Sequence, residues 1–363
     1  MSFTLITMLA SCKYKNPELQ HNVSVLFINV GKGDSILVQA DDKSFLIDTG
    51  TKASALSIYK ALAVRNVKKL DGLILTHAHV DHIGGFEGVV KKYPVDCLYS
   101  SSVYPMENAI DRLEWNSKRT KVSLGDKINI TDDIFFEVLA PSEYNESDEN
   151  NNSLVLRLRA FGKTFLFAGD MCFDEEDTLL ESGCDLKADV FKVPHHGNED
   201  TTSELLISKV APEISVVSKD TGGKGISDYI LKNLCYSDVY LTENFECGVL
   251  IKYNKKGNLL VSDPKIPKIK SKLSITKVDK ENQTLYISNK GGRHDLSGYF
   301  IISAGGDKLF VFPEGSYVGK KKTISVACKG GTGDYIWNEE NIWTTEGKDK
   351  ARLYDKYGNL LLE

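Results

Sequence analysis

Leu70-Asp-Gly-Leu-Ile-Leu-Thr-His-Ala-His-Val-Asp-His82 runs from an apolar stretch directly into four metal-binding side chains. Its first half reads as a short buried strand. Its second half sets His77, His79, Asp81 and His82 within six residues, a concentration that packing does not explain. Two histidines separated by one residue at a strand end can face one ion, while the Asp and His that follow face a second. A strand that ends in ligands has the geometry of an active site.

Outward from this motif, residues 23–29, 35–39 and 44–48 are short β-rich runs that read as adjacent strands. Residues 53–64 carry apolar side chains at helical spacing. A second set of strand-like runs follows at 154–158, 164–168, 190–193 and 214–217. Strands in two sets with helices between them suit a four-layered αββα sandwich. Two later runs also end in ligand types: Phe165-Leu-Phe-Ala-Gly-Asp170 and Val193-Pro-His-His-Gly197. The two carboxylate oxygens of Asp170 suit it to bridging two cations about 3.5 to 4 Å apart. Five of the seven histidines in the chain fall in these two histidine motifs, which favours a built site over scattered core or surface residues.

At 363 residues the chain exceeds one typical compact domain. Asp263-Pro-Lys-Ile-Pro-Lys-Ile-Lys-Ser-Lys272 has the prolines and lysines of an extended linker. The expected division is an N-terminal segment over 1–22, a hydrolase domain over 23–262, a linker over 263–271 and an all-β sandwich over 272–363. The last has strand candidates at 284–288, 299–303 and 308–312 between Gly, Asn and Pro turns. With 45 Lys+Arg against 50 Asp+Glu, the chain does not grip nucleic acid over its whole surface, so a polyanionic substrate must be held locally. Seven cysteines without any C-x-x-C spacing indicate neither a zinc ribbon nor a disulfide framework. Phe3 to Ala10 is a short apolar run ending in Leu9-Ala-Ser-Cys12, in the manner of a bacterial lipobox, although a basic n-region is missing. On this reading Cys12 is lipidated and the protein is a membrane-anchored lipoprotein of the cell envelope, or extracellular.

Several stretches together resemble the metallo-β-lactamase superfamily and, within it, the hydrolase domain of ComEC-type DNA-uptake proteins. Phe27-Ile-Asn-Val-Gly-Lys-Gly-Asp-Ser35 is similar to that branch's F-x-D-V-G-Q-G-D signature, with Asn29 for Asp and Lys32 for Gln. Phe45-Leu-Ile-Asp-Thr-Gly50 resembles the motif that places Asp48 behind the ligands as an orienter. Asn150-Asn-Asn-Ser-Leu-Val-Leu156 resembles the stretch in which other members carry a histidine ligand. There the resemblance makes Asn151 a weak ligand, tilting the site toward Mn²⁺ rather than Zn²⁺. Lys192-Val-Pro-His-His-Gly197 is similar to a K-V-x-H-H-G motif, which implies His196 as ligand and His195 facing substrate. The implied cofactor is a pair of divalent ions, Zn or Mn, on His77, His79, Asp81, His82, Asp170 and His196, with Asp81 and His195 catalytic. One departure stands out: the branch has a Gly-His-Pro further on, and Gly223-Lys-Gly-Ile-Ser-Asp228 contains no histidine.

The C-terminal residues resemble a lamin-tail domain, an immunoglobulin-like sandwich, through Asn289-Lys-Gly-Gly-Arg-His-Asp-Leu-Ser-Gly-Tyr299, Phe312-Pro-Glu-Gly315 and Ala351-Arg-Leu-Tyr-Asp-Lys-Tyr-Gly-Asn359. That resemblance implies tethering to a surface or partner. Two divalent ions supply a nucleophile at neutral pH and neutralise charge on an attacked phosphorus, so the expected substrate is a phosphodiester such as DNA. The alternatives are acyl or lactam hydrolysis on the same metal core, and a surface binding protein whose site no longer turns over.

Overall fold

The computed structural model describes residues 23–363 apart from 107–109, 111–116, 220–221, 223–225, 254–256, 304, 306–307 and 345–348. The lipobox ending at Cys12 therefore lies outside the described residues, as do residues 223–225 of the stretch where the Gly-His-Pro is missing.

Alternation within each strand explains the layers. In Val23–Ile28, Val25 and Phe27 point into one apolar cluster, and Leu26 and Ile28 into another on the opposite face. The first cluster lies between an eight-stranded and a seven-stranded sheet, where Phe27, Phe45 and Ile74 meet Phe136, Leu156, Phe165 and Phe167. The second lies under the helices Ala55–Val64 and Phe86–Lys92. A third, containing Leu166, Phe191 and Val217, is covered by Phe173–Glu181, Glu204–Val210 and Asp228–Asn233. Helix, sheet, sheet and helix thus stack as the expected αββα sandwich. A strand buried on both faces needs apolar side chains on both, which is why residues 25–28 read as an unbroken apolar run.

The strand expected over residues 70–76 forms as Gly72–Ile74, with the Asp71 amide still donating to the Ser44 carbonyl and the Leu75 amide to the Tyr99 carbonyl. The Phe45 ring crosses its start so closely that a Cβ on Gly72 would lie 2.2 Å from a ring carbon. Lys43–Ile47, Gly72–Ile74 and Cys97–Ser101 run parallel in the first sheet. Lys163–Phe167, Val190–Lys192 and Ile214–Val217 run parallel in the second. Parallel strands bring their carboxyl ends to one edge, where connecting loops build sites. Asp48, residues 76–82, Asp170 and His195-His196 all follow such ends.

Leu259–Ser262 closes the eight-stranded sheet, and no strand is assigned again until Leu273–Asp279. Beyond it, two four-stranded sheets and a two-stranded pair enclose Leu285, Ile287, Phe312, Trp337, Trp343 and Leu353. This all-β unit packs on the first helical layer. Phe300 stacks on Tyr354 at 4.9 Å and meets Tyr59 edge-on at 5.6 Å, with the Lys92 ammonium 4.1 Å over its face. None of the six described cysteines is bridged.

Candidate metal centre

The turn after Gly72–Ile74 is fixed from behind. Buried Asp48, at φ 58, accepts hydrogen bonds from the Thr76 amide at 2.8 Å and the Thr76 hydroxyl at 2.7 Å. The same carboxylate lies 2.8 Å from Nδ1 of His82, turning Nε2 of that ring forward. A carboxylate behind an imidazole fixes its tautomer and sharpens it as a ligand. Burial raises the Asp48 pKa even though His82 and Thr76 pull it down.

Forward of Asp48 two donor sets share one residue. Asp81, His82, Asp170 and His196 form the larger set. His82 Nε2 is 3.1 Å from one oxygen of Asp170, and His196 Nε2 is 3.3 Å from the other and 3.4 Å from Asp81. His77 and His79 form the smaller set with Asp170. Asp170 thus belongs to both sets, the place that a shared carboxylate would occupy.

The buried Nε2 atoms of His77, His82 and His196, and one Asp170 oxygen, make no hydrogen bond. Orphaned buried polar atoms are costly, yet here they converge at separations set by the edges of a coordination shell. The donors of these residues fit divalent cations. Burial works against charge on Asp170, but His82 and His196 outweigh it and hold its carboxyl well below the usual range. Burial, reinforced by His82, holds the His77 imidazole well below its ordinary pKa. Carboxylate and neutral imidazole are the forms that bind a metal.

Further residues support the larger set. Gly33, at φ 138, lets the loop after Val23–Ile28 press on the ligand turn, for a Cβ there would lie 2.5 Å from the Asp81 carbonyl oxygen. The next residue, Asp34, forms a buried ion pair with Lys192 at 2.9 Å, and its other oxygen is 3.7 Å from His196 Nδ1. Neither Asp34 nor Lys192 was singled out by sequence reasoning, although both lie in quoted motifs. The signal available was a charged residue at each end of otherwise apolar or glycine-rich stretches.

Asn151 departs from expectation. Its carboxamide oxygen accepts from the amides of Cys172 at 3.1 Å and Glu175 at 3.2 Å, so it caps the helix Phe173–Glu181 and faces no metal donor. Ser153 reaches the site instead: its hydroxyl lies 3.4 Å from His77 Nδ1 and accepts from the Asp170 amide at 3.0 Å. The same loop brings Glu149 to 3.4 Å from His79, and Tyr104 hydrogen-bonds to Glu149.

His195 and His196 turn to different neighbours. Both are left-handed, at φ 44 and 54. His196 turns to Asp81 and Asp170. His195 turns to Asp200, 2.9 Å from its Nδ1, and to the Cys172 sulfur at 3.4 Å. Asp200 also escaped sequence reasoning, standing in a charged loop with no pattern to mark it.

A family model described as the metallo-beta-lactamase superfamily matches residues 28–218, more than half of the chain, and the chain belongs to that superfamily. Among curated relatives it is 31% identical over 225 residues to ComE operon protein 3 of Bacillus subtilis, covering 56% of this chain and 29% of that protein. It is 32% identical over 221 residues to competence protein ComA of Neisseria gonorrhoeae, covering 59% and 30% respectively. A shorter match, 28% over 87 residues, links it to exodeoxyribonuclease YycJ of Bacillus anthracis, covering 24% of this chain and 33% of that one. The chain spans about a third or less of the length of each of these relatives. No helix among the described residues is long and apolar enough to cross a membrane.

Proposed function

We propose that the protein is a metal-dependent phosphodiesterase acting on nucleic acid. The observation that carries this reading is the pair of donor sets sharing Asp170, with unpartnered imidazole nitrogens turned toward one another. The relatives named for competence and for exodeoxyribonuclease activity support DNA as the substrate class. Two divalent ions, Zn or Mn, would supply an activated water and neutralise charge on the phosphoryl oxygens. Asp170 would be shared between the two ions, with His77 and His79 holding one and Asp81, His82 and His196 holding the other. Asp48 fixes the His82 tautomer. Asp200 would accept from the Nδ1–H of His195 in its imidazolium form, leaving the Nε2–H to give its proton to the leaving oxygen and the ring neutral afterwards. Residues 263–271 serve as a linker, a division supported by the absence of a strand between Ser262 and Leu273. The lamin-tail-like unit tethers the hydrolase, and a lipidated Cys12 holds it at the cell envelope; mass analysis of Cys12 from a lipoprotein-processing host tests that anchor.

The metal-loaded protein is tested on end-labelled single-stranded DNA, on bis(4-nitrophenyl) phosphate and on a β-lactam. Cleavage of the first two is expected. Lactam turnover with inert phosphodiesters would move the assignment to acyl hydrolysis, and inertness toward all three would favour a binding protein.

A further inference from the structure

Beside the two donor sets lies a third group of ligand-type side chains that the proposed reaction does not use as ligands. We propose that Cys172, His195 and Asp200 form a separate transition-metal site, selective for zinc-like ions, whose occupation withdraws His195 from its work.

Three donor atoms meet there. The Cys172 sulfur is 3.4 Å from His195 Nδ1, and Oδ1 of Asp200 is 2.9 Å from the same nitrogen. All three donors lie within 4.8 Å of one another, and none of the three residues belongs to the sets around Asp170. Zinc binds thiolate at about 2.3 Å and imidazole or carboxylate at about 2.0 to 2.2 Å, so a tetrahedral shell has ligand edges of about 3.4 to 3.6 Å. The sulfur–nitrogen edge already matches, and Asp200 needs to withdraw by about half an ångström to match it too. Sulfur, nitrogen and oxygen together favour zinc or cobalt over magnesium or calcium, and a fourth position stays open for water.

The surroundings suit capture from solution. Cys172 is buried, the His195 side chain is 15% exposed, and that of Asp200 is 49% exposed, so an ion enters over the carboxylate. Two of the donors are anchored by backbone elsewhere. Cys172 is held by its amide bond to Asn151, and His195 donates its backbone N–H to the Gly169 carbonyl at 3.2 Å. Binding exchanges the thiol proton for the ion and releases that proton to water.

The functional consequence rests on the reading of His195 as proton donor. With an ion on Nδ1, the ring can no longer form the imidazolium that donates from Nε2, and the hydrolase is inhibited by excess zinc. The site itself is tested without turnover. Cobalt(II) is titrated into the full chain while metal content and the thiolate-to-cobalt charge-transfer absorption are followed, since the sets around Asp170 contain no sulfur. The expected result is a third ion per chain that brings this absorption with it. In Cys172→Ser the absorption should vanish and the count should fall to two. Asp200→Ala, which leaves the thiol intact, should require at least tenfold more cobalt to reach the same absorption. Absence of a thiolate band in the wild type at cobalt excess would overturn the site, as would a band that survives Cys172→Ser. If the cobalt results hold but excess zinc leaves DNA cleavage unchanged, the site stands and the role given to His195 falls.

Discussion

The two donor sets around Asp170 share a carboxylate and differ in almost everything else. The larger has four residues and is backed on two sides, by Asp48 behind His82 and by the Asp34–Lys192 pair behind His196. His82 and His196 are fully buried. The smaller has three residues, and one of them, His79, has a side chain 36% exposed whose nearest carboxylate is Glu149. Where other superfamily members are expected to place a histidine, this chain places the Ser153 hydroxyl against His77. More ligands, less water and fixed tautomers each raise affinity. The sets should therefore hold their ions unequally, one as a permanent part of the structure and one exchanging with solution.

The largest effect should come from the shared residue. Asp170→Ala is expected to remove both ions and all phosphodiesterase activity, read by metal analysis and rate together; retention of either ion would break the assignment of a bridge. Next, Asp48→Asn should lower affinity for the ion of the larger set by about 10- to 100-fold, because His82 loses the acceptor that orients it. Its smaller set should be unchanged, and equal weakening of both would mean that Asp48 acts on the fold rather than on His82.

His195→Ala should leave both ions in place. Turnover of DNA should drop about a hundredfold, the worth of a positioned proton donor, and the drop should shrink on bis(4-nitrophenyl) phosphate, whose leaving group needs no proton. An equal loss on both substrates would remove His195 from that role. The smallest effect belongs to Asn151→Ala. Metal content should not change, while the protein loses about 1 kcal/mol of stability through the uncapped helix at Phe173–Glu181; loss of an ion would restore Asn151 as a ligand.

Sequence patterns reached the layers of the fold because burial on both faces leaves continuous apolar runs, as at residues 25–28 and 165–167. They pointed to residues that the structure gathers into these sets because His77, His79, Asp81 and His82 crowd one turn, and because Asp170 and His196 follow apolar strands. They failed where function depends on which atom faces which neighbour. Three consecutive asparagines offer no periodicity from which to tell that Asn151 caps a helix while Ser153, two residues on, meets His77. The pairing of His195 with Cys172, 23 residues before it, and with Asp200, 5 residues after it, arises from left-handed backbone at His195 and His196, which no alternation pattern carries. Asp34 and Lys192 are 158 positions apart and meet only because two sheets bring their strand ends to one edge.

The inequality of the two donor sets is tested most directly by stepwise metal titration of the metal-stripped wild type beside His79→Ala and His196→Ala, followed by calorimetry. Two resolved steps at least tenfold apart in affinity are expected from these two sets in the wild type, besides uptake at Cys172, which Cys172→Ser removes. His79→Ala should keep the tighter step and lose the weaker, and His196→Ala should lose the tighter. Two equal steps in the wild type, or loss of the tighter step in His79→Ala, would contradict the account.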